Sequence, residues 1–130
     1  MNDQRGKSES RGTILVADDQ DMARKVTVRM LQRMGFETLI ACNGEEAVAV
    51  FKREKERIAA CILDHVMPKM NGDEAYREIR KIDPGSKIIL ASGFSEQELG
   101  LGDEIGGINV LMSKPYSRQE LAEALDAVLI

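Results

Sequence analysis

Cys61-Ile62-Leu63-Asp64-His65-Val66-Met67-Pro68-Lys69-Met70-Asn71-Gly72 is an apolar run that climbs to a single carboxylate and then breaks. No charge falls between Ile58 and Leu63, the pattern of a strand buried on both faces in a parallel sheet. Pro68 cannot continue a ladder, and Asn71-Gly72 is turn chemistry. Asp64 is therefore predicted at the carboxyl end of a central strand, where open α/β sheets place their ligands. Taken alone, a carboxylate at that point equally suits a helix cap or a turn.

Moving upstream, Ile58 is preceded by Lys52-Arg53-Glu54-Lys55-Glu56-Arg57, a mixed-charge run suited to the solvated end of a helix. That helix opens at Asn43-Gly44 and carries Ala47, Val48 and Phe51 inward. Before it, Phe36 to Cys42 is predicted as a strand. Further back, Ala23, Val26, Met30, Leu31 and Met34 recur at helical spacing and Gly35 supplies the stop. Thr13 to Ala17 is a buried strand ended by Asp18-Asp19. Residues 1–12 are polar and aperiodic, and are expected to form a disordered tail or linker before a domain spanning residues 13–130.

Moving downstream, a helix is predicted over 73–82, with Ala75, Ile79 and Ile82 on one face. A fourth strand follows from Lys87 to Ser92, then a helix weakened by Gly100 and Gly102 within residues 95–105. A fifth strand over 109–112 ends at Ser113-Lys114-Pro115. Ser117 then caps a last helix with Glu120 at the capping-box position. Five buried strands alternating with five amphipathic helices predict an α/β fold, a doubly wound parallel sheet with helices on both faces. For a chain of this size the flavodoxin-like order 2-1-3-4-5 is expected.

The 130 residues suffice for one domain with its own core, and 43% hydrophobic with 31% charged residues is ordinary globular composition. A formal charge of −4 argues against direct nucleic-acid binding, which needs a basic face. Cys42 and Cys61 both fall in predicted strands and are expected to be buried thiols. No stretch has the length of a membrane span and the N-terminus lacks a signal-peptide core, so no membrane contact and a cytoplasmic location are expected.

The polar residues at the predicted strand ends are Asp18, Asp19, Asp64, Ser92 and Lys114. In the order 2-1-3-4-5 the three acids meet beside the topological switch, with Ser92 and Lys114 on the flank. Two charges about 4 Å apart cost roughly 4 kcal/mol at an effective dielectric near 20, so such a cluster must take up protons or a cation. Oxygen donors alone favour a hard ion, and an open site suits Mg²⁺. A cation, a lysine and a hydroxyl together can hold a phosphoryl group on Asp64.

Ile14-Leu15-Val16-Ala17-Asp18-Asp19, Leu63-Asp64-His65-Val66-Met67-Pro68 with Asn71-Gly72, Ala91-Ser92-Gly93 and Lys114-Pro115 together resemble the receiver domain of two-component response regulators, from Thr13 to Ile130. The resemblance implies the same strand order, so the two expectations are not independent. It implies that Asp64 is the phosphoacceptor, taking a phosphoryl group from a histidine kinase or histidine phosphotransfer domain. It also implies that Asp19, Asp64 and the backbone carbonyl of Val66 ligate Mg²⁺, that Asp18 binds the ion or its water, that Lys114 pairs with the phosphoryl oxygens, that Ser92 moves toward them, and that the Lys114–Pro115 peptide is cis. Such a domain mainly signals, promoting its own phosphorylation and dephosphorylation, with a downstream protein partner.

Ala91-Ser92-Gly93-Phe94-Ser95-Glu96 and Lys114-Pro115-Tyr116 further resemble the receivers at the C-terminus of hybrid histidine kinases. One departure from the family pattern is Leu111, which stands where many receivers carry a switching aromatic. Phe94 and Val66 would flank the approach of a hydrolytic water, and both are apolar. Two alternatives remain open: an Mg²⁺-dependent phosphatase with an aspartate nucleophile, and a degenerate receiver serving only as a docking module. The phosphatase would need a second Asp where Val66 stands. A nucleotide or flavin binder would need a glycine-rich loop after the first strand, where Asp18-Asp19 would repel phosphate. His65, with no second His or Cys near it in sequence, is expected to be a partly exposed loop residue.

Overall fold

A computed structural model describes residues 10–93 and 110–129. Five strands, β1 (Thr13–Ala17), β2 (Glu37–Ala41), β3 (Ile58–Asp64), β4 (Ile88–Ser92) and β5 (Val110–Ser113), form one parallel sheet in the order β2-β1-β3-β4-β5. The described helices are α1 (Asp21–Arg33), α2 (Gly44–Glu54), α3 (Gly72–Ile82) and α4 (Arg118–Leu129). The helix expected within residues 95–105 lies outside the described residues, as does Phe94.

Strand alternation divides the core into two layers. Leu15, Cys61, Leu63 and Leu90 point to one face, where Ala47 and Phe51 of α2 and Ala75 and Ile79 of α3 cover them. Ile14, Val16, Ile62 and Ile89 point to the other, under Leu31 of α1 and Leu121, Leu125 and Val128 of α4. Full burial is confined to the middle of the sheet. All of β1 and β4 is buried, whereas Glu37 and Ile40 of β2 are exposed, because an edge strand has a neighbour on one side only. Five uniformly buried strands were too many to expect.

Cys42 is also placed differently from the sequence expectation. It lies just past the end of β2, at the surface, while Cys61 is fully buried within β3. Burial pushes the Cys61 thiol far above its ordinary value, so it behaves as a small apolar side chain. Ser10 to Gly12 are tied to the domain: the Arg11 amide donates to the Gly35 carbonyl, and the guanidinium stacks on Phe36 at 4.5 Å.

The larger departure is α1. Its buried residues are Arg24, Thr27 and Leu31, and Val26 is 54% exposed. The inward face is rotated from the stripe predicted by apolar periodicity, because two of its three buried side chains are polar. Arg24 Nη1 donates to the Asp18 carbonyl at 2.9 Å, and Thr27 meets the Tyr116 hydroxyl at 2.6 Å. With each polar group hydrogen-bonded, burying them carries little penalty. Met22 and Val26 are left facing solvent.

Candidate functional site

β1 and β3 are neighbours whose following connections leave to opposite faces of the sheet, which opens a crevice at their carboxyl ends. Register places Ala17 opposite Leu63 and Asp64 opposite Ala91. The residues at and just after the carboxyl ends of these strands therefore converge. A carboxylate oxygen from each of Asp18, Asp19 and Asp64 lies within 4.8 Å of the others, and no other such acid, His or Cys cluster occurs among the described residues. Asp18 and Asp64 are buried and Asp19 is exposed at the rim.

Neither Asp18 nor Asp19 is the N-cap of α1. That position is Gln20, which makes no side-chain cap bond. Asp18 Oδ1 instead accepts from the Gln20 amide at 2.9 Å, which fixes the turn that swings Asp19 outward. Capping of α1 therefore does not account for the two acids.

Lys114 enters from β5. Its backbone amide donates to the Ser92 carbonyl at 2.7 Å, and Nζ lies 3.1 Å from Asp64 Oδ1 and 3.6 Å from Asp18 Oδ2. Burial pushes the Asp64 carboxyl above the usual range; the Lys114 hydrogen bond and charge pull it back, and the charges of Asp18 and Asp19 push it up again. Burial also works against the Lys114 charge, yet the Asp64 hydrogen bond and the surrounding acids hold its ammonium above the ordinary lysine range. The cluster thus carries more negative charge than one lysine offsets.

Ser92 is buried at the end of β4, and an open cleft of about 280 Å³ runs past Asp19, Gln20, Asp64, His65, Val66, Ser92, Gly93 and Lys114. Among the described residues, nothing lies within 4 Å of a Cβ added at Gly93. Val66 is 58% exposed at the mouth. Leu111 is half-buried against the layer that contains Leu90, and the Lys114–Pro115 peptide is cis.

Two features were not legible beforehand. His65 faces Asp73, with Nε2 3.7 Å from its carboxylate, while its buried Nδ1 has no hydrogen-bond partner among the described residues. Gly72 matters for space more than for turn conformation, because a Cβ there would overlap the Asp64 carbonyl oxygen. Its amide donates to the His65 carbonyl at 2.7 Å, closing the loop tightly over the end of β3.

A family model described as the response regulator receiver domain matches residues 14–126. The chain belongs to that family. This receiver is 34% identical over 116 residues to the chemotaxis protein CheY of Thermotoga maritima, covering 88% of this chain and 95% of the relative. It is also 31% identical to the sensor kinase CckA of Brucella abortus, covering 90% of this chain but only 12% of that much longer protein. Among solved structures it is similar to the CheX–CheY–BeF3–Mg complex from Borrelia burgdorferi, with a TM-score of 0.87, 26% identity and 97% of each chain covered. The receiver domain of a Pseudomonas aeruginosa sensor histidine kinase, which has a magnesium ion coordinated in its active-site cleft, matches with a TM-score of 0.81 at 27% identity, covering 91% of this chain and 97% of that one.

Membership in two-component signalling follows, and the doubly wound sheet in the order 2-1-3-4-5 is that of its relatives. The donor set fits a hard divalent ion. It is made of carboxylate oxygens only, it is under-neutralised by Lys114, and it opens on the cleft. Among the described residues no helix is long and apolar enough to cross a membrane.

Proposed function

We propose that Asp64 accepts a phosphoryl group from the phosphohistidine of a partner kinase or histidine phosphotransfer domain, in the cytoplasm, with Mg²⁺ bound by Asp18, Asp19, Asp64 and the Val66 carbonyl. The observation that carries this is the Lys114 ammonium set between Asp64 and Asp18 at the edge of a three-carboxylate cluster. A carboxylate oxygen of Asp64 attacks phosphorus, the P–N bond breaks, and its electron pair leaves on the imidazole nitrogen. The divalent ion supplies charge neutralisation for the incoming phosphoryl oxygens. Lys114 then exchanges its contact with Asp64 for one with a phosphoryl oxygen, and Ser92 offers its hydroxyl from the flank. The receiver so proposed spans residues 13–130, with residues 1–12 as a tail or linker.

The test is labelling with a small phosphodonor. Acetyl phosphate with Mg²⁺ is expected to add one phosphoryl group, located on Asp64 by mass spectrometry after borohydride trapping, and EDTA is expected to prevent it. Label on any other residue, or label undiminished by EDTA, would refute the assignment.

The partner is proposed to seat on α1. Met22 is 74% exposed and forms with Val26 and Met30 an apolar groove that reaches Lys114 and Pro115. Lys25, Arg29, Arg33 and Arg118 line its other side. On a chain of net charge −4, that local positive rim favours a helical partner with an apolar seam and acidic flanks, such as the helix bearing the phosphohistidine. Val26→Asp is expected to slow transfer from the phosphorylated partner at least about tenfold, since it sets a charge in the centre of an apolar contact. Labelling by acetyl phosphate should stay unchanged. Equal loss with both donors would place the defect in the cleft and not at the docking face.

A further inference from the structure

The polar face of α1 reaches the site at two points. Arg24 holds the Asp18 carbonyl, and one turn along, Thr27 Oγ1 lies 2.6 Å from the Tyr116 hydroxyl, two residues past Lys114. Either residue is costly by itself. Thr27 is buried where valine would pack without a polar atom, and a half-buried tyrosine leaves a hydroxyl to satisfy. As a pair each satisfies the other. Burial pushes the Tyr116 phenol above its ordinary value, only partly offset by the Thr27 hydrogen bond, so it keeps its proton at neutral pH.

The segment from Lys114 to Ser117 is held in three ways. The Lys114 amide ties it to the Ser92 carbonyl at 2.7 Å. Ser117 and Glu120 bond reciprocally at 2.9 and 3.0 Å, which ties it to its own helix. The Tyr116 hydroxyl ties it to α1, the helix that also holds Asp18. We propose that the Thr27–Tyr116 hydrogen bond is a positioning device for Lys114, fixing the segment from which its ammonium spans Asp64 and Asp18. A lysine stem is flexible, and anchoring the backbone two residues away limits where the charge can sit before the phosphoryl group arrives. Thr27 and Tyr116 touch no reacting atom; they act through Lys114.

The proposal rests on the phosphoacceptor reading for its kinetic readout but not for its structural one. Four variants test it: Thr27→Val, Tyr116→Phe, the double variant, and Thr27→Ser, which keeps the hydroxyl. In metal-free protein the ¹⁵N–¹H signal of the Lys114 ammonium, protected by its ion pair, is expected to weaken in the first three and to persist in Thr27→Ser. The rate of labelling by acetyl phosphate at saturating Mg²⁺ is expected to fall about fivefold in each single variant, what one neutral hydrogen bond controls, and no further in the double. Mg²⁺ Kd should be unchanged, since the carboxylates are not touched. An unaltered Lys114 signal in Thr27→Val and Tyr116→Phe would overturn the proposal. So would single effects that multiply in the double variant, or a Mg²⁺ Kd that weakens in step with the rate, which marks general loosening of the cleft. If the unsubstituted protein takes no label, the phosphoacceptor reading fails, and the ammonium signal alone then decides the positioning role.

Discussion

Asp64→Asn is expected to lose labelling by acetyl phosphate to below detection, and at the same time to melt a few degrees higher than the unsubstituted protein at pH 7 without metal. The first effect follows from the proposed role of Asp64 as nucleophile, since an amide oxygen cannot form an acyl phosphate. The second follows from the direction of the Asp64 shift. Burial, with the added repulsion of Asp18 and Asp19, raises its folded pKa despite the Lys114 contact. An acid whose pKa is raised by folding contributes stability below its unfolded pKa, and loses it as pH rises through the folded value. At pH 7 the ionised carboxylate is therefore a net burden on the metal-free fold, and an uncharged amide of the same shape relieves it. The difference in melting midpoint should shrink as pH is lowered toward 3, where both side chains are neutral. A pH-independent difference, or a variant less stable than the parent at pH 7, would show that the pairing with Lys114 outweighs burial and repulsion. Saturating Mg²⁺ should reverse the order of the two midpoints by stabilising only the protein that keeps all three acids.

Gly72→Ala is expected to destabilise the protein by about 3 kcal/mol, the upper end for forcing extra volume into a packed site. An added Cβ would overlap the Asp64 carbonyl oxygen and sit 2.8 Å from Leu90 Cδ1. The obstacle is mainly backbone, which cannot rotate away as a flexible side chain would. Any relief must displace the end of β3, so labelling at Asp64 should fall with stability. Chemical denaturation and the labelling rate measure the two effects. Gly93→Ala is the control: its Cβ meets nothing within 4 Å among the described residues, and its stability should stay within about 0.5 kcal/mol of the parent. A Gly72→Ala protein as stable as Gly93→Ala would show that the loop over β3 is free to shift.

The contrast between these glycines shows what sequence can and cannot carry. The architecture was legible because β1, β3 and β4 are short continuous apolar runs, each ended by a polar residue. The same rule that found the strands placed Asp18, Asp19, Asp64, Ser92 and Lys114 at their ends. It failed on α1, where apolar periodicity turned Val26 inward although the packed residues include Arg24 and Thr27. Hydrophobic pattern cannot anticipate a buried polar side chain whose partner is a backbone carbonyl or a hydroxyl 89 residues away. It also assigned Gly72 to turn chemistry, when the decisive fact is how closely this first residue of α3 approaches the backbone at the end of β3. Composition extends the second strand to Cys42 because nothing in it marks the residue at which pairing stops, which is Ala41.

The three carboxylates come from the ends of two strands that neighbour each other in the sheet but lie far apart in the chain. Parallel strands cannot pair through a short hairpin, so the acids come together only when a long crossover closes. In an unfolding trajectory they should separate as soon as β1 and β3 part. An ion held by all three then stabilises the native state more than any partly open one, and its occupancy is felt in the rate of unfolding, with the rate of folding nearly untouched. With the proposed ion bound, the lifetime of the folded molecule is expected to lengthen with free divalent ion concentration, a kinetic dependence set by the place where two strands happen to end.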